Sequence, residues 1–153
     1  MGMKLFLDSN VVIDALVDRN EAHEAARLLV ALGRIGEFDL WASPTQWTDM
    51  YYILTEGGKR SRDQEIRAIL AAVRKAVHVS MMGEEEIDRA LASSWDDFED
   101  AVVYQAAVSV KPDALITNNK KDYVQSAVPV YTCAELFELI AREKDISYTE
   151  IAF

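Results

Sequence analysis

Residues 4–17 read Lys-Leu-Phe-Leu-Asp-Ser-Asn-Val-Val-Ile-Asp-Ala-Leu-Val, and this stretch decides the fold. A short, almost uninterrupted apolar run ends at Asp8, as expected of a strand buried on both faces. Ser9-Asn10 then leads straight into apolar residues at helical spacing, so the strand turns directly into a helix. Asp8 therefore sits at the carboxyl end of the first strand.

The same alternation continues outward. Ala25, Leu28, Leu29 and Leu32 predict a helix over residues 21–32, closed by Gly33 and Gly36. Residues 38–42 predict a second strand, after which Ser43, Pro44 and Gln46 combine an N-cap, a first-turn proline and a capping-box glutamine. That helix should run to about Glu56. A second Ser-to-Gln box, Ser61 with Gln64, should open the next helix, and residues 77–81 should form a third strand. Glu84, Glu85 and Glu86 favour a helix start, and another helix should begin at Asp97 or Phe98 and stop at Lys111-Pro112. Residues 113–117 and 129–131 read as the last two strands, with Thr132 and Glu135 boxing the final helix. Strand followed by helix, repeated, predicts an α/β fold with a mostly parallel sheet covered on both faces. Ligands in such sheets bind beyond the carboxyl ends of the strands, which places Asp8 and Thr117 beside the expected site.

The 153 residues suffice for one domain and not two, so a single domain over 1–153 is expected, with residues 144–153 as a tail of unassigned role. Sixteen basic against 26 acidic residues leave a net charge of −10, so no global positive field draws the protein to nucleic acid or to an anionic membrane. One cysteine and two histidines exclude a disulfide framework, a thiolate zinc cluster and a multi-histidine metal site. Neither a targeting segment nor a membrane span is legible, and a cytoplasmic protein is expected. The chemistry must rest mainly on carboxylates.

Four acids stand out by position: Asp8 after the first strand, Asp49 in the third helix, Asp100 opening the AVVYQAA helix, and Asp122 after the fourth strand. Singly, Asp8 could be only a helix cap and Asp100 only a first-turn acid. Asp49 is more telling: Trp47, Met50, Tyr51, Ile53 and Leu54 surround it, so it lies on a narrow wet edge or faces a polar cleft. Acids gathered together suit a hard divalent cation, Mg²⁺ or Mn²⁺, which takes oxygen ligands and keeps positions open for water and phosphate. Such a centre makes bound water a better nucleophile and neutralises charge on a phosphodiester under attack.

The segments LFLDSNVVIDAL, SPTQWTDMYYIL, WDDFEDAVVYQAA and ALITNNKKDY resemble, in that order, the motif series of PIN-domain ribonucleases, particularly the VapC-like toxins of toxin-antitoxin pairs. The resemblance covers the chain to about Leu139. It implies a three-layer, Rossmann-like PIN domain acting as a Mg²⁺- or Mn²⁺-dependent endoribonuclease. It also implies a homodimer and a small antitoxin whose tail enters the active site. Asp8, Asp49 and Asp100 match the family's acids, Asp49 standing where Glu is more usual, with Asp97 a helper one turn before Asp100. Asp122 takes the fourth place, Asn119 standing where many members carry an acid. Ser9, Asn10, Thr117 and Asn119 resemble the groups that orient carboxylates and water.

For RNA, residues 59–75 hold six basic and two acidic side chains, with Arg60 and Arg67 as candidate phosphate contacts. A solvated helix face with an Asp63–Arg67 pair explains the same stretch. Lys120 and Lys121, beside Asp122, are further candidates. Aromatic residues at helical spacing are more often core or a subunit interface than base-stacking platforms, and Tyr51 or Tyr52 of the third helix reads as interface. Two other readings stand beside the ribonuclease: a PIN module that binds RNA or a partner without cleaving, and a haloacid-dehalogenase-type phosphatase. The latter requires a second Asp at the position of Asn10.

Overall fold

In the computed structural model, residues 2–148 are described; residues 149–153, the end of the tail, lie outside the described residues. The strands are β1 (Lys4–Leu7), β2 (Asp39–Ala42), β3 (Val77–Val79), β4 (Ala114–Ile116) and β5 (Val130–Tyr131). The helices are α1 (Ser9–Leu16), α2 (His23–Arg34), α3 (Pro44–Leu54), α4 (Asp63–Val73), α5 (Glu84–Ala92), α6 (Phe98–Val110) and α7 (Cys133–Lys144).

All five strands pair in parallel, in the order β3-β2-β1-β4-β5. β1 is central, which accounts for its unbroken apolar run. Leu5 and Leu7 pack on one face into a core with Val11, Leu29 and Leu136. Phe6 points to the other face, against Tyr104, Ala107, Leu115 and Tyr123. The chain moves from β1 out to β3 and then returns to the opposite side of β1, so strand order reverses between β1 and β4. The crevice beyond the carboxyl ends of these two strands is where such a sheet holds ligands. Asp8 and Thr117 are the residues that follow β1 and β4.

Two local expectations are corrected. Ser61 and Gln64 form no capping box; a 3₁₀ turn, Arg60–Arg62, leads into α4, and the cap residue is Arg62. Gly33 does not end its helix, because α2 runs on to Arg34. It serves close approach instead: a Cβ there would lie 2.3 Å from the Leu40 side chain of β2. The other two capping boxes, Ser43 with Gln46 and Thr132 with Glu135, are formed. Among the described residues no helix is long and apolar enough to cross a membrane.

Candidate active site

Asp8 ends β1 with extended backbone and caps α1, so its carboxylate is held at the mouth of the crevice. The Ser9 backbone N–H donates to its Oδ1 at 2.8 Å. Thr117 Oγ1 and Asn10 Nδ2 donate to its Oδ2 at 2.8 and 3.2 Å. Capping and site membership are thus the same geometry. Thr117, fully buried, also accepts from the Asn119 backbone N–H, and Asn10 Oδ1 accepts from that of Asn118. These contacts lace the loop after β4 to the start of α1.

Gln46 sets the position of α3. It is fully buried; its Nε2 donates to the Leu7 carbonyl at 2.7 Å while its Oε1 accepts from the Ser43 N–H at 2.7 Å. One side chain therefore clamps the helix start to the end of β1, one residue before Asp8. Asp49 follows Gln46 by three positions and so comes to the same crevice.

The result is a cleft of about 460 Å³ whose walls include Asp8, Asp49, Asp100 and Asp122, contributed by four separate parts of the chain. Both readings of Asp49 hold, since it is exposed and lines the cleft. Glu99 lines it too and was not singled out in sequence, although it adjoins Asp100. The one basic residue along these walls, Arg19, already donates through Nε to Asp14 Oδ1 at 2.6 Å. Five carboxylates therefore face one committed guanidinium.

The electrostatic consequence is visible in the acids themselves. Burial first, then the charges of Asp97, Asp122, Asp8 and Glu99, push the Asp100 carboxyl up to about 7. Burial raises Asp8 as well, against the hydrogen bonds from Thr117 and Ser9 that favour its charged form. Asp49 is raised by burial alone. Asn119 Nδ2 donates to Asp122, so the amide and the acid occupy adjacent roles: Asp122 lines the cleft and Asn119 holds it. Tyr123, the next residue, is buried, and its hydroxyl interacts with the Asp8 carboxylate, favouring that acid's charged form.

The remaining candidates sit elsewhere. Asp97 is the N-cap of α6, one turn before Asp100, where its Oδ1 accepts from the Asp100 N–H at 2.9 Å; it is not among the residues that line the cleft. It acts on Asp100 through charge and backbone position. Lys120 is paired with Glu135 at 3.1 Å, and neither it nor Lys121 lines the acidic cleft. Arg60 and Arg67 lie beside an adjoining cavity.

Sequence reading missed Asp14. This carboxylate is 1% exposed and accepts from Arg19 Nε, from Asn20 Nδ2 at 3.0 Å and from Asn118 Nδ2. It ties α1 to the loop after β4 from below. Its signal was present: a lone acid on the apolar face of VVIDAL needs a buried partner.

A divalent cation suits this donor set by chemistry: hard oxygen ligands, excess negative charge and a raised carboxyl that binding of a cation would relieve. Among the described residues no three or more histidine, cysteine, aspartate or glutamate side chains stand together as a group that could hold a metal ion as they are placed.

A doubly wound parallel sheet with an acidic cleft at its strand-order reversal defines a Rossmann-like α/β domain with a carboxylate site. The chain belongs to the PIN-domain family, whose model matches residues 4–121. It is 26% identical over 144 residues to ribonuclease VapC1 of Aquifex aeolicus, covering 88% of this chain and 94% of that protein. Two solved structures share the fold. A chain of VapBC2 from Rickettsia felis, crystallised with a DNA fragment from the VapBC2 promoter, superposes with a TM-score of 0.62 at 13% identity, covering 85% of this chain and 98% of its own. A chain of VapBC-1 from nontypeable Haemophilus influenzae gives 0.59 at 18% identity, covering 86% and 99%. Family membership leaves the phosphatase reading without support, and Asn10 acts as a donor to Asp8 where that reading requires an acid.

Proposed function

We propose that this protein is a Mg²⁺- or Mn²⁺-dependent endoribonuclease, the toxin of a toxin-antitoxin pair. The observation that carries the reading is the convergence of Asp8, Asp49, Asp100 and Asp122 on one cleft with no free cation in its walls. The likeness to a ribonuclease VapC1 supports RNA as the substrate.

In this reading Asp8, Asp49, Asp100 and Asp122 hold one or two cations. When bound, such ions neutralise charge on the phosphodiester and lower the pKa of coordinated water. The chain's own part is positioning. Thr117, Asn10 and the Ser9 N–H fix the Asp8 carboxylate, so its lone pairs are aimed before substrate arrives. Asn119 does the same for Asp122. A water oxygen bonds to phosphorus, the bond to the 3′ oxygen breaks, and the products carry a 3′ hydroxyl and a 5′ phosphate.

The same cleft suits the basic tail of a small antitoxin, and the two structural relatives come from VapBC complexes. A homodimer and a cytoplasmic site of action complete the proposal. The test is cleavage of a mixed-sequence RNA pool with Mn²⁺, with EDTA and with Asp8→Asn. Expected is cleavage with Mn²⁺ that EDTA and the substitution each abolish. RNA binding without cleavage, unchanged by Asp8→Asn, would favour the non-cleaving module instead.

A further inference from the structure

Next to the acidic cleft lies a second cavity of about 330 Å³, walled by Tyr51, Tyr52, Gly58, Arg60, Asp63 and Arg67. Tyr52 lines both cavities. That ring is 58% exposed yet held in place. Tyr51 meets it edge-on, centroids 5.6 Å apart at 85°. The turn Glu56-Gly57-Gly58, all at positive φ, also runs beside it; a Cβ at Gly58 would come within 3.1 Å of the ring. Glycine there leaves the turn close to the Cδ1–Cε1 side of the ring.

The floor is organised by Asp63. It accepts from Tyr51 Oη at 2.6 Å and from Arg67 Nε at 2.9 Å, which presents the guanidinium at the cavity wall. Arg60 makes no ion pair among the described residues, unlike its neighbours Lys59 and Arg62, which pair with Glu56. An exposed aromatic ring, the Arg60 guanidinium, whose charge acts on Asp63, and the Arg67 guanidinium held by that carboxylate thus line a cavity that shares Tyr52 with the acidic cleft.

We infer that this cavity is a subsite for one nucleotide of single-stranded RNA flanking the scissile phosphate, its base stacked on Tyr52 and its phosphate on Arg60 and Arg67. The inference rests on the ribonuclease reading and adds where the strand runs. Stacking is sequence-tolerant and requires unpaired bases, so the subsite selects single strands over duplexes.

The experiment is fluorescence anisotropy of a labelled pool of random twelve-nucleotide RNAs with EDTA present, which stops cleavage. Wild type, Tyr52→Ala, Tyr52→Phe and Arg60→Ala are compared, with a duplex of the same length as control. Tyr52→Ala is expected to weaken single-strand binding by about tenfold and Tyr52→Phe to restore it, since the ring stacks and the hydroxyl does not. Arg60→Ala should reduce the salt dependence of log affinity by roughly one. Sedimentation of each variant reports oligomeric state. Unchanged binding in Tyr52→Ala and Arg60→Ala overturns the subsite, as does binding lost only because the variant dissociates into monomers. No single-strand binding by the wild type overturns it as well. Adding Mn²⁺ to the wild-type mixture asks the separate question of cleavage, so the subsite can fail while the nuclease reading stands, and the reverse.

Discussion

Asp8 caps the short helix α1 and Asp14 lies within it, six residues on, and the two have opposite surroundings. Asp14 is buried among donors that include a guanidinium: Arg19, Asn20 and Asn118 all bond its carboxylate. Asp8 receives hydroxyl, amide and backbone donors but no cation, and it shares its cleft with four further acids. An acid that the protein neutralises internally is a structural fastening. Acids that it aims and leaves uncompensated are a site that awaits a cation from outside.

The contrast can be broken from either side. Asp8→Asn should reduce RNA cleavage on the order of a thousandfold, measured as initial rate at saturating Mn²⁺, with little change in melting temperature. Asp14→Asn should do the converse. It leaves the Arg19 charge without its partner, but Arg19 is 40% exposed, so water recovers part of the loss. A cost of about 2–3 kcal/mol and a melting temperature lower by roughly 5–10 °C are expected by calorimetry.

The pH dependence of metal-free stability sharpens the comparison. Asp100 is pushed up to about 7 in the fold, well above the ordinary carboxyl range of the unfolded chain. The folded state therefore binds the proton more tightly, and stability falls as pH rises from about 4 through about 7. The metal-free protein should melt higher at pH 5.5 than at pH 8. Asp100→Asn should flatten that slope, and millimolar Mn²⁺ should restore stability at pH 8.

Smaller effects test the positioning groups. Thr117→Val removes the hydroxyl that donates to Asp8 and should lower the cleavage rate by about tenfold, with Mn²⁺ affinity falling in parallel. Lys120→Ala should change cleavage less than about twofold and stability by less than about 0.5 kcal/mol, because this lysine pairs with Glu135 outside the cleft.

How far the sequence could be read follows from the range of the interactions. The β1-to-α1 turn was legible because burial on both faces leaves an unbroken apolar run and the reversal to helix follows at once. The capping boxes at Ser43 and Thr132 were legible because both partners lie within one turn. The same pattern at Ser61 misled: a 3₁₀ turn occupies that site, and nothing within four residues distinguishes it. In the site, Asp8 and Thr117 could be placed from strand ends alone. Lys120 could not, since Glu135 is fifteen residues away and belongs to another element. Asp14 and Asn118 are more than a hundred residues apart in sequence, and only the closed sheet brings them together. The tyrosines of α3 were visible as aromatics at helical spacing, but the turn at Gly58 that lies beside Tyr52 is a tertiary fact.

The most direct measurement is a Mn²⁺ titration by calorimetry on the wild type, Asp8→Asn, Asp100→Asn and Asp14→Asn, all at a temperature where every variant is folded. Saturable binding by the wild type, lost in Asp8→Asn and Asp100→Asn and kept in Asp14→Asn, is expected. Absence of binding by the wild type across millimolar Mn²⁺, or binding undiminished by Asp8→Asn and Asp100→Asn, would contradict the claim that these acids form a cation site.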